Sequence, residues 1–187
     1  MHIKNIILVI IVLFTASISF AQPAGLKPGE KMLPVTKLSL PEKNWFVELA
    51  TKGFTVEKSG EKPGGQGIMF LATNDVTGVI MSAYFIKGPK LSNSKEVREY
   101  YWGYEKKGPL KIEEVKFTDL GDMPLFEYTV KELEGRQIDQ KHYRGFIGKE
   151  DLWFDIHLSK VQYKPEEDKL FTSILKSVKI STVAATQ

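Results

Sequence analysis

The stretch KHYRGFIGKEDLWFDIHLSK, residues 141–160, decides the fold. Apolar and polar side chains alternate on both sides of its GKED centre, the two-residue period of strands with unlike faces. Two such strands joined by a tight turn make an antiparallel hairpin. A turn at Lys149-Glu150 pairs Ile147 with Leu152, Gly145 with Phe154 and Tyr143 with Ile156, the predicted core face. On the other face the same register pairs Phe146 with Trp153, Arg144 with Asp155 and His142 with His157.

The preceding strand PLFEYTVKEL, residues 124–133, reaches this hairpin through a turn at Glu134-Gly135. That turn sets Phe126 against Tyr143 and Glu127 against His142. Glu127, His142 and His157 are then expected in one row across three strands, with Thr129, Gln140 and Ser159 alongside. Directly opposite residues have Cβ atoms about 4.5–5.5 Å apart. Two imidazoles and a carboxylate at that spacing can hold zinc, manganese or iron with open coordination positions. The row is therefore the candidate site for a divalent metal ion, and no other cofactor is expected. The same residues also read as the solvated face of an antiparallel sheet. An Arg144–Asp155 pair needs no further purpose there, being worth about 0.2–1 kcal/mol. Phe146 and Trp153 are two large aromatics on that polar face, so a helix or a partner is expected to cover them. With Trp102 they form the candidate partner-contact set.

Farther out, NSKEVREYYWGYEKKG, residues 93–108, predicts a helix. Asn93 can cap it, with Glu96 completing a capping box. Val97, Tyr100, Tyr101 and Tyr104 fall on one stripe, Trp102 lies away from it, and Gly108-Pro109 ends the segment. A second helix starts at Pro165, where Glu166, Glu167 and Asp168 oppose the positive end of its dipole. Leu170, Phe171, Ile174 and Leu175 make its buried stripe. Residues 44–60 supply one or two strands, and GVIMSAYFIKG, residues 78–88, reads as a strand covered on both sides. Between them EKPGGQG is a hairpin loop. Gly64, Gly65 and Gly67 would suit a phosphate cradle only if a helix followed, and the strand-like IMFLATN follows instead.

The chain opens with Lys4, an unbroken apolar run over 6–14, and Ser19-Phe20-Ala21. This is the pattern of a signal peptide cleaved between Ala21 and Gln22, and its apolar run is short of the roughly 20 residues that span a bilayer. The expected organisation is a signal peptide over 1–21, a flexible Pro/Gly tether over 22–33, one globular domain over 34–181 and a frayed tail over 182–187. The expected location is periplasmic or extracellular, with no stable membrane span after cleavage. The chain has no cysteine, so neither a disulfide framework nor a thiolate metal site is available to it. Its formal net charge is only +3 and no basic run interleaves with aromatics, so no nucleic-acid partner is expected. No serine sits in a G-x-S-x-G elbow.

The strand LWFDIHLSK, the proline-started acidic helix YKPEEDKLFTSILKSV, the closing SVKI and the opening LPEKNWFVE resemble PsbP-like domains, loosely over residues 35–180. That resemblance implies an α+β fold, an α/β/α sandwich on an antiparallel sheet shared with the nuclear Ran-release factors. It implies a docking or assembly role and carries over no site residue. The function expected from the sequence is an exported, non-catalytic binding or assembly module of the cell envelope with an envelope protein partner. The alternatives are a metal protein or metal-dependent enzyme using the Glu/His/His row, and a carrier of a small apolar ligand held between sheet and tyrosine-rich helix.

Overall fold

The computed structural model describes residues 27–39, 43–61, 67–88 and 93–182. The predicted signal peptide, the first part of the tether, the glycine-rich hairpin loop and most of the tail lie outside these residues. Ten strands and two helices are described: β1 Val35–Ser39, β2 Trp45–Ala50, β3 Thr55–Glu61, β4 Gly67–Asn74, β5 Val79–Lys87, α1 Ser94–Glu105, β6 Ile112–Leu120, β7 Met123–Leu133, β8 Arg136–Lys149, β9 Leu152–Lys160, α2 Asp168–Lys176 and β10 Lys179–Thr182. The 3-10 turn Pro165–Glu167 leads into α2. Seven strands form one antiparallel sheet in the order β3-β4-β5-β9-β8-β7-β6, and β1-β2-β10 form a second.

The long hairpin β7–β8 closes where the sequence predicts. Leu133 faces Arg136, and the two turn residues Glu134 (φ 50°) and Gly135 (φ 74°) both adopt the left-handed region that a two-residue turn of matching twist requires. The register does not run on unbroken, because a β-bulge intervenes between Val130 and Glu132. Asp139 sits in the bulge with φ 43°, which Asp tolerates better than most residues. Gln162 N–H donates to the Ile138 carbonyl at 3.0 Å and Tyr163 N–H to the Asp139 carbonyl at 3.1 Å, so the irregular backbone is hydrogen-bonded from outside the sheet. One extra residue flips the remainder of β7 relative to β8. Glu127 therefore faces Tyr143, Tyr128 faces His142, and Phe126 faces Arg144.

The β8–β9 turn also differs from expectation, with a milder consequence. Lys149 faces Leu152, which leaves Glu150 and Asp151 as the loop. Lys43 Nζ holds both of their carboxylates, at 3.0 and 2.7 Å. Moving the turn by one residue slides the partners by two, so every side chain keeps its predicted face while its direct partner changes. Gly145 faces Ile156, Arg144 faces His157, and His142 faces Ser159.

The large sheet is covered on both sides. On one side Phe70, Met81, Phe85, Phe154, Ile156 and Leu158 pack with Trp45, Val47 and Leu49 of β2 and with Phe171, Ile174 and Leu175 of α2. On the other, Phe126, Tyr128, Val130, Phe146 and Trp153 pack beneath Val97 of α1. The fold is thus α+β with helices flanking an antiparallel sheet, and one flank is shared between α2 and the three-stranded sheet. Residues 27–33, expected to belong to a free tether, instead run along β3: Lys31 bridges Thr55, and Met32 is buried in the larger core.

Asn93 caps α1 by accepting from Lys95 N and Glu96 N at 3.0 and 3.1 Å. The helix turns Val97, Tyr101 and Trp102 toward the sheet, leaving Tyr100 and Tyr104 outward, a rotation from the stripe read in the sequence. Gly148 lets it come close: a Cβ there would lie 3.1 Å from Val97 Cγ2 and 3.2 Å from the Asn93 backbone. The Gly148 N–H donates to Ser94 Oγ at 3.0 Å. Among the described residues no helix is long and apolar enough to cross a membrane.

Candidate functional site

Beneath α1 the large sheet carries a polar cluster instead of a wet face. Arg144 of β8 lies diagonally from Asp155 of β9 and grips it with both sides of the guanidinium: Nε to Oδ1 at 3.0 Å and Nη2 to Oδ2 at 2.6 Å. Its remaining arm, Nη1, donates to Glu105 Oε2 of α1 at 2.6 Å. Asp155 is only 1% exposed and the Arg144 side chain 16%. The Tyr128 hydroxyl donates to the other oxygen of Glu105. The guanidinium also lies 4.6 Å from the Tyr101 ring centroid, which in turn stacks on Phe146 at 5.2 Å. One cation thus joins strands β8 and β9 to the last turn of α1. Charge-assisted, two-pronged bonds of this kind are the strong class of hydrogen bond.

The two imidazoles adjoin this ion cluster. His142 Nδ1 and His157 Nε2 are 2.9 Å apart, a diagonal contact within reach of neighbouring strands. The His142 ring stacks on Tyr128 with centroids 4.5 Å apart. Burial, reinforced by Arg144, pushes His157 down to about 3. Burial and then the charges of His157, Arg144 and Lys141 hold His142 well below the ordinary imidazole range. Both rings are neutral at pH 7. The buried His142 Nε2 has no hydrogen-bond partner among the described residues. A bare lone pair is cheaper to bury than an unpaired N–H, so we assign the proton of His142 to Nδ1, donating to His157 Nε2.

The Glu127, His142, His157 row does not form. The bulge at Asp139 places Glu127 on the opposite side of the sheet, where it accepts an ion pair from the buried Lys141 at 2.8 Å and a longer one from Lys116 at 3.8 Å. Of the neighbours drawn with the row, Thr129 bonds Glu114 Oε2 at 2.8 Å, while Gln140 stays on the imidazole side. Among the described residues no three His, Asp or Glu side chains are grouped to hold a metal ion. On Glu127's side a second polar knot joins β8 to the start of α2, where Tyr143 and Tyr163 both donate to Asp168. Burial alone would raise the Asp168 carboxyl, but those two hydroxyls hold it below its ordinary range.

The candidate partner-contact residues are also placed differently. Phe146 and Trp153 are buried under α1, so the helix supplies the cover their sequence demanded. Trp102 is half-buried, edge-on to Phe117 and Phe126 with centroids at 5.4 Å in each case. Sequence reasoning missed Glu105, although Val97, Tyr101 and Glu105 recur at the four-residue spacing of a single helix face. It missed Tyr128 because the bulge, invisible to a plain count from the turn, is what turns that ring toward His142.

On α1 two aromatics remain exposed. Tyr100 is 42% and Tyr104 65% exposed, their hydroxyls lie 3.2 Å apart, and Tyr100 rests on Trp153 at 4.9 Å. Past Trp153 the same sheet side continues through the half-buried Ile86 and Tyr84 of β5 to Met69 and Leu71 of β4.

No protein-family model matches the chain, and no curated protein matches it in sequence. Solved structures do. The crystal structure of a protein from Bacteroides thetaiotaomicron VPI-5482 aligns at 10% identity and a TM-score of 0.47 over 78% of this chain; the alignment takes in 51% of that chain, about half its length. The solution structure of cyanobacterial PsbP (CyanoP) from Synechocystis sp. PCC 6803 aligns at 12% identity and a TM-score of 0.50, covering 85% of this chain and 99% of that one. At such identity the likeness is one of fold, and the fold of this chain is PsbP-like.

Proposed function

We propose that the chain is an exported binding or assembly module of the cell envelope, working through the aromatic ridge of α1 and not through chemistry at the buried cluster. The observation that carries this reading is the division of labour on α1. Its inner side is spent on Arg144, Tyr128, Phe146 and Trp153, while Tyr104 stands exposed and Tyr100, seated by one side on Trp153, pairs with it through the hydroxyls at the surface. Tyrosines offer large amphipathic contact area for little lost entropy and are enriched at binding hot spots. The signal-peptide pattern and the docking roles implied by the PsbP-like resemblance support the same reading. The test is a Tyr100→Ser/Tyr104→Ser variant expressed from its own leader. The mature chain should begin at Gln22, and a specific envelope protein recovered with the wild type should be absent with the variant. Identical co-purification from both, or retention of the chain in the cytoplasm, would overturn the proposal.

A second reading is favoured by the half-buried Met69, Leu71, Tyr84 and Ile86 lying in line with the tyrosine pair. It makes the same shelf the seat of a small apolar ligand. Native mass spectra of protein purified without detergent should then carry an added mass that the tyrosine variant loses, and a clean apo spectrum would remove this reading.

A further inference from the structure

We infer that the His142–His157 pair makes the docking of α1 acid-labile, so that α1 lifts from the sheet as pH falls while the opposite core stays closed. This inference does not depend on which partner or ligand the exposed ridge takes. It begins with the surroundings of the pair. Tyr128 of β7 stacks on His142, and Arg144 of β8 lies between the pair and α1. Asp155 of β9 and Glu105 of α1 are the nearby carboxylates, and both are engaged by Arg144. Ser82 and Tyr84 of β5, which face His157 and Asp155, carry no charge at neutral pH, and neither does Tyr101 of α1. Arg144 acts against a proton on both imidazoles, and Lys141 acts against one on His142. A proton on either ring sets a positive charge beside Arg144 while both nearby carboxylates are already committed to that guanidinium. A proton on His157 Nε2 also ends the present hydrogen bond, because two imidazoles 2.9 Å apart need one bare nitrogen between them, and a proton on His142 Nε2 leaves a buried N–H with no partner among the described residues.

With α1 seated His142 is buried and His157 half-buried, and Glu105 holds their neighbours Arg144 and Tyr128 in place; once the helix lifts and water enters, the imidazoles regain their ordinary behaviour, with pKa about 6.5. Folded-state pKa values below the open-state value mean that the docked form is favoured fully above pH 6.5 and progressively less below it. Each imidazole raises the opening constant by up to about tenfold per pH unit, and the two together by about a hundredfold. This window lies above the range where ordinary carboxylates titrate. The effect should be local, because α1 adds no strand to either sheet and closes the smaller of two separate cores. Segments of that kind open ahead of the global transition.

Amide hydrogen exchange of the full chain between pH 7 and 4.5, corrected for intrinsic rates, reads the opening directly. Protection across α1 should fall by about a hundredfold per pH unit below pH 6, while β2 and α2 fall by much less. In His157→Gln, which keeps a neutral hydrogen-bonding group but cannot titrate, the slope at α1 should drop to about tenfold. Loss of protection in α1, β2 and α2 together, or an unchanged slope in the variant, would overturn the inference. If His157→Gln does not fold, the comparison of α1 with α2 in the wild type decides alone.

Discussion

Replacing Asp155 by Asn removes one charge from the centre of the cluster with almost no change of shape. Asp155 is 1% exposed and holds two nitrogens of Arg144 through contacts of 2.6 to 3.2 Å. Breaking a buried pair by deleting one partner costs about 3–5 kcal/mol, because the surviving charge remains desolvated. Two features set the cost at the lower end of that range. Glu105 still pairs with Arg144 at 2.6 Å, and the Asn carbonyl can still accept one hydrogen bond. The expected loss is therefore about 3 kcal/mol, and for a chain of 187 residues each kcal/mol moves Tm by about 2–4 °C, a drop of about 6–12 °C. Urea unfolding followed by tryptophan fluorescence measures it, with Trp153 and Trp102 reporting beneath α1 and Trp45 from the other core. Glu105→Gln should cost less, since its side chain is 18% exposed, and the double variant should exceed the sum, because Arg144 then has no anionic partner. A loss below about 1 kcal/mol for Asp155→Asn would refute the view that this cation clamps helix to sheet.

Other perturbations probe separate parts of the account. Gly148→Val should destabilise by about 1–3 kcal/mol through overpacking against Val97 and the Asn93 backbone, with the loss of α1 helicity visible by circular dichroism. Asp139→Val should cost about 1–3 kcal/mol in urea unfolding because a β-branched residue resists φ 43°, whereas Asp139→Gly should be close to neutral. Glu127→Ala should destabilise by about 3 kcal/mol or more by leaving buried Lys141 unpaired. The His142–His157 hydrogen bond should persist in that variant, since Glu127 is on the far side of the sheet. Tyr104→Ser should change stability by less than about 1 kcal/mol in urea unfolding, since Tyr104 is 65% exposed, whereas Tyr100→Ser should cost more by uncovering Trp153.

The faces of β8 and β9 were legible in the sequence because strict alternation fixes them, and sliding the register by two preserves faces. Thus Tyr143, Phe154 and Ile156 lie in the larger core as the pattern demanded, and His142 still touches His157, though diagonally. The face of Glu127 was not legible. A bulge is a one-residue event, and a count from the Glu134-Gly135 turn carries no record of it. The available hint was Asp139, a residue type that accepts left-handed backbone, next to a segment whose carbonyls bond Gln162 and Tyr163 from far along the chain. Those distant bonds are what a local reading lacks. The aromatics Phe146 and Trp153 did announce a cover, and α1 provides it, but the rotation of that helix turns on Arg144 finding Glu105 across 39 positions of sequence.

The measurement closest to the central claim is nitrogen NMR of the two imidazoles through a pH titration of the wild-type chain. If the bulge-set register pairs His142 with His157 in a closed cluster, both rings stay neutral at pH 6, His142 carries its proton on Nδ1, and the two titrate together well below 6.5. Either ring titrating independently near 6.5, or a proton on Nε2 of His142 at pH 6, would contradict it.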